Sequence, residues 1–145
     1  MEIKIVNKSN NILPQYETEH AAGMDLRANI DEEVVIKPLE RKIIPTGIFI
    51  GIPIGYEVQI RPRSGLAAKY GVTVLNTPGT IDSDYRGEIK IILINLGNED
   101  FKVSNNERIA QMIISRHEKV EWNLIENFDT TTQRGEGGFG HTGNK

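Results

Sequence analysis

Two aspartates, a tyrosine and an arginine crowd into the stretch Asn76-Thr77-Pro78-Gly79-Thr80-Ile81-Asp82-Ser83-Asp84-Tyr85-Arg86-Gly87-Glu88, which proline and glycine break into turns. That is more reactive chemistry than a connector needs. The chain has no cysteine and no serine-hydrolase elbow, and its histidines at 20, 117 and 141 lack metal-ligand spacing. Carboxylate-assisted or metal-assisted chemistry is what remains. The pattern Asp82-x-Asp84-x-x-Gly87 does not continue as a calcium loop, because Arg86 and Leu93 stand where that loop needs oxygen ligands. The bland alternative is a solvated turn in which Asp82 and Asp84 cap backbone donors and Arg86 pairs with one of them.

Other candidates flank this stretch. Asp25, inside Ala21-Ala-Gly-Met-Asp-Leu-Arg-Ala28, falls in a strand-like run where Asp is disfavoured. Either a buried hydrogen bond to a neighbouring loop or a share in holding a hydrated cation explains it. Arg63 and Ser64 follow Pro62 and open Ser64-Gly-Leu-Ala-Ala-Lys-Tyr70, a short helix that Ser64 can cap and Gly71 can stop. Free N–H groups there suit an anion, or the turn is an ordinary capped one with an exposed arginine. Past Asn127, Gly135-Glu-Gly-Gly-Phe-Gly-His-Thr-Gly143 carries five of the 14 glycines, a composition unable to bury a core. Gly135, Gly137 and Gly140 match a dinucleotide fingerprint, yet no strand leads into it and no helix has room to follow. Arg134, Phe139 and Thr142 instead offer a cation, a ring and a hydroxyl on a flexible backbone, the inventory of a closing lid.

These residues need elements to hold them. Short apolar runs at Ile3–Val6, Met24–Ala28, Val34–Ile36, Ile43–Ile52, Tyr56–Ile60, Val72–Leu75, Ile89–Leu96, Ile109–Ile114 and Val120–Ile125 have the spacing of an all-β sandwich or barrel. Val58 and Ile60 alternate with Glu57, Gln59 and Arg61 as in a half-buried strand. Val72–Leu75 and Glu88–Leu96 read as a β-hairpin with the acidic stretch at its tip, so Asp82 and Asp84 would share one face. Ile89–Leu96 is apolar on both sides, as in a strand at a subunit interface or in a sandwich core.

With 145 residues the chain fits one domain, expected over 1–126 with a tail over 127–145. Its net charge of −3 offers no general attraction to a nucleic acid polymer. Arg61, Arg63, Arg86 and Arg134, all beside turns, still allow a local field for a small polyanion. No cysteine, no leader-like N-terminus and no membrane-length apolar run lead to the expectation of a soluble cytoplasmic protein, in which the Asn7-Lys8-Ser9 sequon is chance.

Five groups of residues, taken together, resemble the ordered motifs of the homotrimeric dUTP pyrophosphatases (dUTPases). They are Ala22–Ala28, Arg61-Pro-Arg63-Ser64-Gly65-Leu-Ala67, Asn76–Tyr85, Glu107-Arg-Ile-Ala-Gln111-Met and Arg134-Gly-Glu-Gly-Gly-Phe-Gly140, and they span nearly the whole chain. The resemblance implies a distorted jelly-roll or β-clip barrel with one short helix and a flexible Gly-rich C-terminal arm. It also implies a homotrimer with sites between subunits, and Mg²⁺-dependent cleavage of dUTP to dUMP and pyrophosphate, which limits uracil in DNA and supplies dUMP for dTTP synthesis. Carried over by position, Asp82 resembles the base that activates water and Tyr85 the wall against deoxyribose. Asn76 and the backbone at Thr80 and Ile81 resemble the uracil reader. Arg63, Ser64, Gly65, Gln111 and Arg134 resemble phosphate contacts, and Asp25 the holder of a Mg²⁺-bound water. In the tail, Phe139 resembles the ring over uracil, with Gly140, His141 and Thr142 beside it. His141 departs from the pattern, since many members have serine there; a backbone N–H and an imidazole replace that hydroxyl. A deaminase of the related fold acting on dCTP would instead need an acid/base at C4 of the pyrimidine.

Overall fold

The structure, a computed structural model, describes residues 1–128 and 132–138. Its strands are β1 (Lys4–Asn7), β2 (Met24–Arg27), β3 (Val34–Ile36), β4 (Arg41–Pro45), β5 (Ile48–Gly51), β6 (Tyr56–Arg61), β7 (Val72–Val74), β8 (Gly79–Ile81), β9 (Lys90–Asn95), β10 (Phe101–Val103) and β11 (Arg108–Arg116). One helix, α1 (Ser64–Tyr70), separates β6 from β7. All pairings are antiparallel, and they build a four-stranded sheet β2-β11-β6-β8, a three-stranded sheet β4-β9-β7 and the pairs β1-β5 and β3-β10. The expected all-β, jelly-roll class with one short helix is the one observed.

Side-chain alternation decides which face each strand turns inward. On β6, Val58 and Ile60 are buried, while Glu57, Gln59 and Arg61 line the outer face. There Gln59 Nε2 donates to Glu57 Oε1 at 2.7 Å and Arg61 Nη2 to Gln59 Oε1 at 2.6 Å. Between the sheets lie Leu26, Val58, Ile44, Val72, Val74, Ile91, Leu93 and Ile109, all at or near full burial. Each such side chain contributes about 1.5–3 kcal/mol of transfer free energy. Asn95 is buried among them and satisfied, because its Nδ2 donates to the Ile36 and Glu99 carbonyls and its Oδ1 accepts from Gly97 N. Among the described residues no buried polar side-chain atom lacks a partner.

Several expectations need correction. The run Ile43–Ile52 is two strands, broken where Gly47 takes φ +70 and passes so close to Ser9 that a Cβ would stand 2.8 Å from its backbone N. Ser64 does not cap α1; the N-cap position is Arg63, without a side-chain cap, whereas Gly71 does end the helix in the left-handed region at φ 69. Val72–Val74 pairs with β9 as expected, but the connection is no tight hairpin tip, since β8 leaves it to pair with β6. Strand β9 buries Ile91, Leu93 and Asn95 on one side only. Its other side, with Ile92 and Ile94 half-buried, joins exposed Ile43, Leu75 and Leu96 in an open apolar face. Val120–Ile125 forms no strand; Val120, Trp122 and Leu124 stand in solvent at 70%, 93% and 96% exposure. No helix among the described residues is long and apolar enough to cross a membrane.

Candidate functional site

Asp82 leaves the end of β8 and enters a turn closed by Tyr85 N donating to the Asp82 carbonyl at 3.1 Å. Asp82 and Asp84 therefore sit in a turn rather than on one strand face. Arg86 pairs with neither acid, because its Nη1 donates to the Ser83 and Tyr85 carbonyls, each at 2.7 Å, and ties the turn from below. The Asp82 carboxylate is exposed and accepts no protein hydrogen bond among the described residues. Tyr85 is anchored by its hydroxyl, which donates to the Glu88 carbonyl at 3.0 Å, and its ring lies over Gly87. Any side chain at 87 would overlap the ring. At the entry to β8, a Cβ on Gly79 would come within 3.1 Å of Asn76 Nδ2 and 3.3 Å of Ile60 Cβ, so a bare glycine lets the Asn76 amide lie against the strand. Thr80 is exposed and Ile81 half-buried beside it.

A second group gathers at the far edge of the same sheet. Cross-strand register sets Asp25 opposite Gln111 and Gln111 opposite Arg61. Gln111 Nε2 donates to the Pro62 carbonyl at 3.0 Å, and its amide covers Gly23, where a Cβ would collide with Oε1. Asp25, with a side chain 15% exposed, accepts from Arg63 Nε at 2.9 Å through Oδ1 and from Arg108 Nη1 at 3.1 Å through Oδ2. That ion pairing explains an acid in mid-strand. Ser64 and Gly65 follow Arg63 on the exposed first turn of α1, and a Cβ on Gly65 would meet nothing within 4 Å. The fold alone therefore gives no reason for glycine at 65.

Strand order separates the two groups. From β2 to β8 are three inter-strand steps of roughly 4.8 Å, and Asp82 lies four residues further along than the Asp25–Gln111–Arg61 row. Asp25 and Asp82 of one chain are thus roughly 15–20 Å apart, several times the spacing of neighbouring phosphates in a nucleotide.

Among the described residues no three His, Cys, Asp or Glu converge as a metal cage. Asp25 brings one carboxylate, whose oxygens each keep a lone pair beyond the arginine they face and can accept from a metal-bound water. Such a donor set fits a Mg²⁺ carried on phosphates, not one held by protein alone.

Arg134 donates through Nε to the Gly137 carbonyl at 2.8 Å, inside the tail, and contacts neither group. Phe139, Gly140, His141 and Thr142 lie outside the described residues. Arg108 is the residue that reading the sequence missed; its only signal was a place three before Gln111 in the fourth motif.

The dUTPase family profile matches residues 9–143. The chain is 57% identical over 143 residues to the deoxyuridine 5'-triphosphate nucleotidohydrolase of Finegoldia magna, covering 99% of each chain. With the enzyme of the same name from Fusobacterium nucleatum it shares 54% over 143 residues, covering 99% of this chain and 97% of that one. Among solved structures it resembles the Staphylococcus bacteriophage 80alpha dUTPase with dUpNHpp, at TM-score 0.85 and 27% identity over 98% of both chains. A mutant dUTPase of S. aureus phage phi11, which coordinates a structural Mg(II) ion, shares the fold at TM-score 0.80 and 22% identity, covering 90% of this chain and all of that one.

Proposed function

The chain belongs to the dUTPase family and is an enzyme of dUTP hydrolysis, and from that premise we propose that water attacks the α-phosphorus of dUTP with Asp82 as its base. The carrying observation is the exposed Asp82 carboxylate, free of protein partners among the described residues, held beside Tyr85 by a turn tied through Arg86. A bond forms from water oxygen to the α-phosphorus, the bond to the bridging oxygen breaks, pyrophosphate leaves and the water's proton passes to Asp82. Tyr85 packs on the deoxyribose, and its anchored ring leaves no room for a 2′-hydroxyl. The Asn76 amide and the backbone at Thr80 and Ile81 read the uracil edge, where one methyl at C5 is enough to reject thymine.

The phosphates fall to Arg63, Ser64, Gly65 and Gln111, and Arg134, Phe139, Gly140, His141 and Thr142 of the tail are assigned to the bound nucleotide. When bound to those phosphates, Mg²⁺ supplies positive charge that neutralises them, and Asp25 would hold its waters. Asp82 of one chain is too far from Asp25 and Arg63 of the same chain to share an α-phosphate with them. A second copy supplies the missing half, which favours a homotrimer with sites between subunits. The open apolar face at Ile43, Leu75, Ile92 and Leu96 and the solvent-exposed Val120, Trp122 and Leu124 support it. Acting in the cytoplasm, such an enzyme limits uracil incorporation and supplies dUMP for dTTP synthesis.

Pyrophosphate release measured with dUTP, dTTP, dCTP and UTP, with and without Mg²⁺, tests the reading. Release from dUTP alone, dependent on Mg²⁺, is expected. Equal rates on dTTP or UTP, or ammonia released from dCTP, would overturn it.

A further inference from the structure

Two guanidinium groups from different elements close on one carboxylate. Arg63 Nε is 2.9 Å from Asp25 Oδ1, Arg108 Nη1 is 3.1 Å from Oδ2, and Arg63 Nη1 also donates to the Arg108 carbonyl at 3.2 Å. Glu17, at 3.7 Å, is the other acid facing Arg108. The presence of Arg108 here depends on an irregularity of β11. Ala110 faces Leu26 and Arg108 faces Arg27, so the register shifts between them and both Ile109 and Ala110 turn inward. A regular strand would bury position 108 and present 109 outward; the bulge re-aims Arg108 onto the face of Asp25.

On the function proposed above, Arg63 serves the triphosphate, and a fork onto a phosphate that uses Nε draws it off Asp25. A mostly buried carboxylate left without a charge partner is strongly disfavoured. We propose that Arg108 is a positioning residue that keeps Asp25 paired and aimed while Arg63 transfers from that carboxylate to the nucleotide. Asp25 is then free to receive the waters of a phosphate-borne Mg²⁺, and nucleotide and metal binding are coupled through this exchange.

The test compares the full-length protein with Arg108→Gln and Arg108→Lys. Affinity for a non-hydrolysable α,β-imido analogue of dUTP is measured by calorimetry with and without Mg²⁺, beside steady-state pyrophosphate release and the thermal midpoint. Arg108→Gln leaves Asp25 with Arg63 alone, so its metal-free affinity is expected to fall about threefold to fivefold, and the Mg²⁺-dependent gain to fall by about tenfold or more beyond that. The Mg²⁺ concentration for half-maximal rate rises with it. Arg108→Lys restores most of the gain, because a single donor reaches Asp25. Should Arg108→Gln fail to fold, Arg108→Met, which keeps the aliphatic stem, is held to the same two affinities. Equal loss with and without Mg²⁺ would place Arg108 on the nucleotide itself, and no change in either would make it a spectator; both results overturn the proposal. Failure of the wild type to cleave dUTP sinks the assigned function instead, which separates the two conclusions.

Discussion

The ring of Tyr85 occupies the space that a Cβ on Gly87 would need, and its hydroxyl donates to the Glu88 carbonyl at 3.0 Å. Glycine two residues on thus fixes where the tyrosine stands. Gly87→Ala should displace the ring while leaving the turn's chemistry intact, and the kcat/KM ratio of UTP to dUTP should rise roughly tenfold. Tyr85→Ala should raise it as well. An unchanged ratio in both variants would mean that sugar discrimination lies elsewhere.

At the other edge of the sheet, Gly23 backs the Gln111 amide. Gly23→Ala pushes on the end of a flexible side chain rather than on backbone, so the fold should tolerate it. Gln111 would lose its bond to Pro62, and KM for dUTP should rise about threefold to tenfold with kcat nearly constant. A fall in kcat at constant KM would show that Gln111 acts on the transition state and not on ground-state binding.

Asn95 ties the end of β3 and the β9–β10 loop to the core through Ile36, Gly97 and Glu99. Asn95→Ala strands two carbonyls and an N–H, and should cost about 2–4 kcal/mol, read as a lower urea midpoint at unchanged slope. A shift under about 0.5 kcal/mol would indicate that water replaces the amide.

Asp82→Asn keeps the shape of the turn but removes the proton acceptor, so turnover should fall about 100-fold or more while nucleotide still binds. Truncation before Gln133 removes none of the strands found among the described residues, the last of which ends at Arg116, and should leave a folded but nearly inactive protein. Mixed with Asp82→Asn chains, it should recover activity as hetero-trimers form. If verified hetero-trimers stay inactive, the tail does not serve a neighbour's site.

What could be read from the chain beforehand follows the range over which each signal acts. Val58 and Ile60 alternating with their polar neighbours announced β6, and Gly71 announced the end of α1, because both are local properties of consecutive residues. β8 was not legible: three residues within a turn-rich stretch become a strand only because β6, some 20 residues earlier, offers an edge. Arg108 was hidden for a related reason, since a bulge at Ile109 reverses the face that simple alternation would assign. Val120–Ile125 carried a strand signal that the single chain does not fulfil, and its apolar side chains find no partner strand there. The acidic turn was recognisable by composition, but its distance from Asp25 is a property of strand order.

Trp122 is the only tryptophan of the chain and stands 93% exposed. Its indole emission therefore belongs to one segment alone, at the red wavelengths of a hydrated ring whenever that segment is unpaired. Docking of the segment on a second copy would shift the emission to the blue, so a dilution series read by intrinsic fluorescence follows assembly without a label. The same photons, blind to a core that holds no other indole, would report the protein's quaternary equilibrium separately from its unfolding.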